Sequence, residues 1–139
     1  MKKIEKSFDD LKKIFANEEL VEKIIYNKYI FNLHKKKNDS ITIEENIIQC
    51  TISPNSIVNS YKLIFEKNTI NQIDFKLKIP FGFFAIILIA YLVIHNIIEF
   101  GWVGIFIGIG IYYLSMLIYK YFAKKGIIDR INKSEVNNL

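Results

Sequence analysis

One stretch of the chain, Pro80–Tyr119, holds 40 consecutive residues with a single formally charged side chain, that of Glu99. A transmembrane helix needs roughly 20 apolar residues to cross the ~30 Å hydrocarbon layer of a bilayer. The stretch is therefore too long for one span and has the length of two, and residues 96–101 supply a turn. It predicts a transmembrane helical hairpin within residues 80–122. The two predicted spans cover residues 81–98 and 100–119.

Charge on either side of the stretch predicts its orientation. Residues 1–79 hold 14 lysines against 11 acids, and residues 120–139 hold five basic residues against two acids, whereas the connection between the spans has neither Lys nor Arg. Basic residues near membrane spans stay on the cytoplasmic side. We therefore expect a protein of the cell (inner) membrane, with two spans and both termini in the cytoplasm.

The first 26 residues follow a helical period, with apolar residues at steps of three and four. Ser7 followed by Asp10 is typical of a helix start, and Asn17 followed by Glu18 and Glu19 is typical of a second start. The pattern predicts one broken amphipathic helix or two short ones.

From Lys28 the period changes to two, and apolar or aromatic residues alternate with polar ones up to Ile79. This alternation is typical of strands with one buried face. Short turn signals separate the runs and favour an antiparallel meander of about five strands. The five predicted strands centre on residues 29–33, 41–43, 48–52, 61–66 and 73–79.

These patterns predict an α+β fold in three parts. Residues 1–79 form a cytosolic α+β domain, residues 80–122 form the hairpin, and residues 123–139 form a cytosolic basic tail. We expect Gly126 to end the second span's helix. The apolar residues after it would lie along the membrane surface or dock on the β-domain.

The strand pattern ends where the first span begins. A residue before proline favours extended geometry, and proline favours the first position of a helix. Ile79 and Pro80 are thus expected to join the last strand to the first span, either as a plain helix start or as a mechanical coupling.

The second span has a face of small residues at Gly101, Gly104, Gly108 and Ser115. Small residues four apart let helix backbones approach closely. The face is expected to pack the hairpin against itself or to join protomers.

Two further sets of residues are candidates for contacts outside the chain. His95, Asn96 and Glu99 form a polar cluster at the predicted outer turn, either as interface residues or, in an oligomer, as a cation-attracting mouth. Lysines near the predicted inner boundary are candidates for anionic-lipid contact. They are Lys35, Lys36, Lys37, Lys76, Lys78, Lys120, Lys124 and Lys125.

No spacing in the sequence fits a catalytic, cofactor-binding or metal site, and we expect no enzyme and no cofactor. Expected partners are the lipid bilayer and either a second copy or another membrane protein, with nucleic acid disfavoured by the scarcity of arginine and a small-molecule ligand left unknown. The function expected is a membrane-held domain that binds or senses a partner. Two alternatives are an oligomeric effector that perturbs or conducts through the membrane, and an immunity or accessory subunit.

Overall fold

The computed structural model describes residues 2–26, 39–52, 61–79 and 83–136. Within them the fold is α+β, with four helices and one four-stranded sheet. The elements in chain order are α1 (Phe8–Ala16), α2 (Glu18–Ile24), β1 (Ser40–Ile43), β2 (Ile47–Ile52), β3 (Tyr61–Lys67), β4 (Ile73–Lys78), α3 (Phe83–Phe100) and α4 (Val103–Lys133).

The two predicted helix starts are confirmed. The Ser7 side chain accepts a hydrogen bond from the backbone N–H of Asp10 at 3.1 Å, and α1 follows it. The Asn17 side chain accepts one from the N–H of Leu20 at 3.2 Å and begins α2. Each cap satisfies a backbone donor that the first turn of a helix leaves without a partner. The N-terminal region is therefore two short helices.

The sheet is an antiparallel meander in the order β1-β2-β3-β4. The predicted strand over residues 29–33 lies outside the described residues, which contain four strands and not five. Between β3 and β4, the Asn68 side chain accepts hydrogen bonds from the N–H groups of Ile70 and Gln72, both at 3.0 Å. Asn71 has a φ of 57°, a conformation that asparagine tolerates better than most residues.

The hydrophobic core lies between one face of the sheet and the helices α1, α2 and the end of α4. In β3, Leu63 and Phe65 are fully buried while the neighbouring Lys62 is exposed, as the period-two pattern predicts. The rings of Phe65 and Phe75 stack across β3 and β4 with centroids 4.5 Å apart. Aromatic pairs of this kind contribute beyond their buried area.

Helix α4 departs from the prediction at its C-terminal end. It does not end at Gly126 but continues to Lys133, and it contributes four residues to the domain core. These four residues, all at most 2% exposed, are Ala123, Ile127, Ile128 and Ile131. A glycine inside a helix costs about 1 kcal/mol, and burying isoleucine side chains offsets that cost several times over.

The helix α3 ends later than the predicted first span. Residues 95–99, expected in or beside the turn, belong to the last turns of α3, and the connection to α4 consists of Gly101 and Trp102. Gly101 has a φ of +68°, which glycine adopts without strain. The chain therefore reverses in two residues.

Among the described residues, only α4 is long and apolar enough to cross a membrane by length and composition. The described apolar part of α3, Leu88–Phe100, is shorter than a span requires. Eleven per cent of the apolar stretch of α4 is buried inside the chain. The core helix of a water-soluble protein would be mostly buried, and this helix is mostly uncovered.

Candidate functional site

Three regions bear on function: the contact between α3 and α4, the uncovered apolar surface of these helices, and a cleft lined by lysines. The helix contact and the apolar surface include residues that the sequence analysis predicted to be functional. Most residues of the lysine-lined cleft were not among those predictions.

Helices α3 and α4 meet closely at Gly104. A methyl group at this position would collide with the backbone carbonyl of Asn96 and would lie 2.8 Å from the Asn96 Cβ. A methyl group at Gly108 would lie 3.4 Å from the Asn96 side chain and 3.5 Å from the Leu92 backbone. Gly104 and Gly108 are both buried by α3 of the same chain. This contact favours packing within the chain over packing between protomers.

The other two members of the predicted small-residue face lie away from this contact. A methyl group at Gly101 would have nothing within 4 Å. Ser115 is exposed, and its hydroxyl donates a hydrogen bond to the carbonyl of Ile111 at 2.8 Å. The close approach is thus confined to Gly104 and Gly108.

The predicted polar cluster splits into two parts. His95 and Glu99 lie on one exposed face of α3, with Nδ1 and Oε1 3.8 Å apart. Asn96 points toward α4, and its amide donates a hydrogen bond to the Leu92 carbonyl at 2.7 Å. Asn96 therefore belongs to the helix contact, while His95 and Glu99 form an exposed pair.

The surface of α3 and α4 exposes large apolar side chains on several sides. Trp102 and Ile98 are 81% and 78% exposed, and Phe106 is 77% exposed. Monomeric water-soluble proteins rarely expose apolar patches larger than a few hundred Å². Uncovered side chains continue along α4 as far as Phe122. Beyond that point the helix enters the core of the α+β domain.

The strand-to-span coupling is described only in part. Ile79 is partly buried and packs against the domain core, whereas Pro80 lies outside the described residues. The described residues provide a second connection between the domain and the apolar helices, namely α4 itself. The sequence carried a signal for it, since residues 123, 127 and 131 share one helical face.

Residues Lys2–Lys6, here called the N-terminal strap, precede α1 and are hydrogen-bonded to the end of α4. Asn132 makes two hydrogen bonds to the strap backbone, accepting from the N–H of Glu5 at 2.9 Å and donating to the carbonyl of Lys3 at 3.0 Å. Lys2 Nζ lies 2.8 Å from the Asp129 carboxylate. The hydrogen bond to Lys2 lowers the pKa of Asp129.

A cleft of about 820 Å³ lies between the N-terminal strap, β4 and α4. We call it the basic cleft because five lysines and two carboxylates line it. They are Lys2, Lys3, Lys6, Lys76, Lys124, Glu5 and Asp74. Its volume falls within the range of small-molecule sites in proteins.

Two of the predicted lipid-contacting lysines lie in the basic cleft. Lys124 Nζ lies 5.5 Å from the centroid of the Phe75 ring, and burial, with a smaller effect of Lys120, lowers the pKa of Lys124. Lys76 lies 3.3 Å from Glu66. Lys78 and Lys120 are exposed and Lys125 is partly exposed, all outside the cleft. The lysines at 35–37 lie outside the described residues.

The strap lysines and Asn132 were missed by the sequence analysis. Lys2 and its partner Asp129 are 127 positions apart, as are Glu5 and Asn132. No local pattern relates residues at such a separation.

In the same turn of α4, Arg130 connects the helix to α2. Its Nε donates a hydrogen bond to the carbonyl of Ile24, the last residue of α2, at 2.8 Å. This bond satisfies a carbonyl that the helix end would otherwise leave without a partner. Burial lowers the pKa of Arg130.

In the part of the chain that the structure describes, no group of three or more His, Cys, Asp or Glu side chains is arranged to hold a metal ion. Cys50 is buried in β2, and burial raises the pKa of its thiol to about 12. Comparisons with protein families, with curated proteins and with solved structures found no match for this chain.

Proposed function

We propose that this chain is a small, non-enzymatic integral membrane protein. Its α+β domain lies in the cytoplasm, where it binds or senses a partner, and α3 and α4 cross the inner membrane as a two-span hairpin. Both termini are cytoplasmic. The bilayer is the first partner of this arrangement, and a second copy or another membrane protein is the other.

The observation that carries this proposal is the uncovered apolar surface of α3 and α4. Only 11% of the apolar stretch of α4 is buried within the chain. Exposing that much apolar surface to water is unfavourable by about 25 cal/mol for each Å². Lipid tails would cover it without any other protein. The sequence supports a crossing by α3 as well, because residues 81–98, the first predicted span, are apolar except near their end.

The continuity of α4 supports a rigid attachment between the domain and the membrane. A helix of 31 residues is about 46 Å long at 1.5 Å per residue. This length exceeds the ~30 Å hydrocarbon layer. The part of α4 that extends beyond the hydrocarbon layer is the segment that enters the domain core. One continuous helix would therefore belong to both the membrane hairpin and the α+β domain.

The ion-conducting alternative has less support. It drew on Gly104 and Gly108 as a face between protomers, and α3 of the same chain already occupies that face. The exposed pair His95 and Glu99 remains available for contacts at the outer turn. An accessory role beside another membrane protein would use the remaining apolar surface.

The proposal is tested by cysteine labelling in intact cells. Trp102→Cys places a thiol in the exposed turn between α3 and α4, and Lys67→Cys places one in the exposed end of β3. A membrane-impermeant maleimide should label residue 102 in intact cells and residue 67 only after permeabilisation. The parent chain is the control, because Cys50 is buried.

Two results would contradict the proposal. One is equal labelling of both positions in intact cells, which would mean that turn and domain lie on the same side. The other is release of the protein from membranes by alkaline carbonate, which removes peripheral proteins and leaves spanning ones in place.

A further inference from the structure

The basic cleft has the volume of a ligand site, and the function proposed above does not use it. Three of its lysines, Lys3, Lys6 and Lys124, have no ion pair among the described residues. The other two are paired, Lys2 with Asp129 and Lys76 with Glu66. Unpaired cations that converge on a cavity attract an anion of matching size.

The strap holds two of these lysines in place. The side chain of Asn132 binds the strap backbone on either side of Ile4, so the backbone around Lys3 is fixed relative to α4. Lys124 extends over the Phe75 ring, which is itself 8% exposed. The cations thus approach the cavity from two elements at opposite ends of the sequence.

The cleft also lies at a definite depth relative to the proposed membrane. Lys124 follows Tyr119, the end of the second predicted span, by five positions, which is about 7.5 Å along a helix. The headgroup layer is about 5–8 Å thick on each side of the hydrocarbon core. Lys124 therefore lies at the level of lipid phosphates, and Ile128 lies farther from the hydrocarbon layer, toward the cytoplasm.

We propose that the basic cleft binds the phosphorylated headgroup of an anionic membrane lipid, an inference that rests on the membrane placement of α3 and α4. Lys3, Lys6 and Lys124 contact the phosphate oxygens. Glu5 and Asp74 at the same cleft accept hydrogen bonds from headgroup hydroxyls. The lipid thereby holds the strap, β4 and α4 together at the membrane surface.

The competing ligand of the basic cleft is an acidic segment of another protein, since its carboxylates would also pair with the lysines. The depth of Lys124 favours the lipid, because headgroups are present at that level at high local concentration. The proposal assigns two of the lysines expected to contact anionic lipid, Lys76 and Lys124, to one defined site.

The test measures lipid binding to the full chain in detergent by native mass spectrometry. The probe is dioleoyl phosphatidylglycerol, with dioleoyl phosphatidylcholine as the neutral lipid of identical acyl chains. The variant K3Q/K6Q/K124Q removes the three unpaired cations. The control K13Q/K23Q/K67Q removes three exposed lysines elsewhere on the domain and changes the net charge equally.

We expect the parent chain to bind one phosphatidylglycerol in preference to phosphatidylcholine. Each lysine beside an anionic lipid contributes roughly fivefold in affinity, so the cleft variant should bind at least about tenfold more weakly. The control should stay within about twofold of the parent. If the triple variant does not fold, K3Q/K6Q against K13Q/K67Q makes the same comparison.

Equal weakening in both variants would overturn the inference, because it would mean that net charge alone attracts the lipid. Full displacement of the lipid by equimolar glycerol 3-phosphate would assign the cleft to a soluble anion, and displacement by a polyglutamate peptide would assign it to an acidic protein segment. Either result overturns a lipid site. Carbonate extraction of the same proteins separates the two proposals, since a protein that stays in the membrane without binding phosphatidylglycerol contradicts only this inference.

Discussion

At Gly104 the absence of a side chain determines how closely α3 and α4 approach. A methyl group there would collide with the Asn96 backbone, which cannot move without displacing α3. We expect Gly104→Ala to destabilise the protein by about 1–3 kcal/mol, as overpacking does in other cores. Thermal unfolding in detergent, followed by circular dichroism, measures the change.

Two other glycines in α4 provide graded controls for this substitution. A methyl group at Gly108 would meet its nearest neighbour at 3.4 Å, so Gly108→Ala should have a smaller effect. Gly110 has nothing within 4 Å, and Gly110→Ala should leave stability unchanged or raise it by up to about 1 kcal/mol through helix propensity. Equal effects at 104 and 110 would contradict the close approach.

Cys50 makes stability depend on pH at the alkaline end. Burial raises the pKa of its thiol from 9.0 to about 12, so the folded chain keeps a proton that the unfolded chain loses above pH 9. The free energy of unfolding should therefore fall as the pH rises above 9, by up to about 1.4 kcal/mol per pH unit. Chemical unfolding at pH 8, 9 and 10 gives the slope.

The Cys50→Ala variant isolates this contribution. The pKa of Tyr26 is also raised, mainly by burial and by its hydrogen bond to Asp39, and the charge of Cys50 is a smaller cause. The difference between the two slopes therefore belongs mainly to Cys50. Parallel slopes from pH 9 to pH 10 would mean that the thiol is not shielded from water.

At the scale of elements, α4 belongs to two environments. Ile127 is fully buried in the domain core, whereas Ile118 on the same helix is 49% exposed. Ile127→Ala should cost about 2–5 kcal/mol because it removes buried methyl groups and leaves a cavity. Ile118→Ala, the same chemical change nine positions earlier, should cost much less. Thermal unfolding of both variants in one detergent compares them, and similar losses would contradict the docking of α4.

Strands β2, β3 and β4 were predictable from sequence because each has one buried face and one face toward water, whereas all four residues of β1 are exposed. In β3 the exposed Lys62 alternates with the buried Leu63 for this reason, and the short connections from β1 to β2 and from β3 to β4 favour antiparallel neighbours. The helix caps at Ser7 and Asn17 were also predictable, because a cap is a contact between residues only three positions apart.

Docking of the residues after Gly126 on the domain was one of two expectations, but the continuation of α4 to Lys133 was not predicted, because local and distant preferences conflict there. Gly126 locally favours a helix end, but the sheet and α2 provide a dry surface that only a continued helix can reach. The basic cleft was missed for a related reason. Its strap residues and α4 are near neighbours in space and about 120 positions apart in the chain.

At the scale of the whole molecule, the α+β domain is built from both ends of the chain. The strap is bound by Asn132, α2 is bound by Arg130, and the core contains residues from α4. The domain predicted as residues 1–79 therefore lacks part of its own core. The apolar parts of α3 and α4 separate the two parts of the domain in the sequence, but these two parts pack together in the structure.

We therefore predict that residues 1–79 alone do not fold, whereas a chain that joins residues 1–79 to residues 120–136 through a flexible Gly/Ser linker does. Small domains of this size have little stability to spare, and the missing segment includes fully buried Ile127 and Ile131. Amide chemical-shift dispersion in ¹H–¹⁵N spectra distinguishes the two outcomes without detergent.

The matched control is the linked chain carrying Ile127→Asp, which keeps the length and should be unfolded, because it places a carboxylate in the core. A well-dispersed spectrum from residues 1–79 alone would mean that this segment folds without α4 and that α4 packs on a domain that is already folded. In that case motion of the apolar helices could pass into the domain through Ile79, and α4 would not hold the two parts as one body.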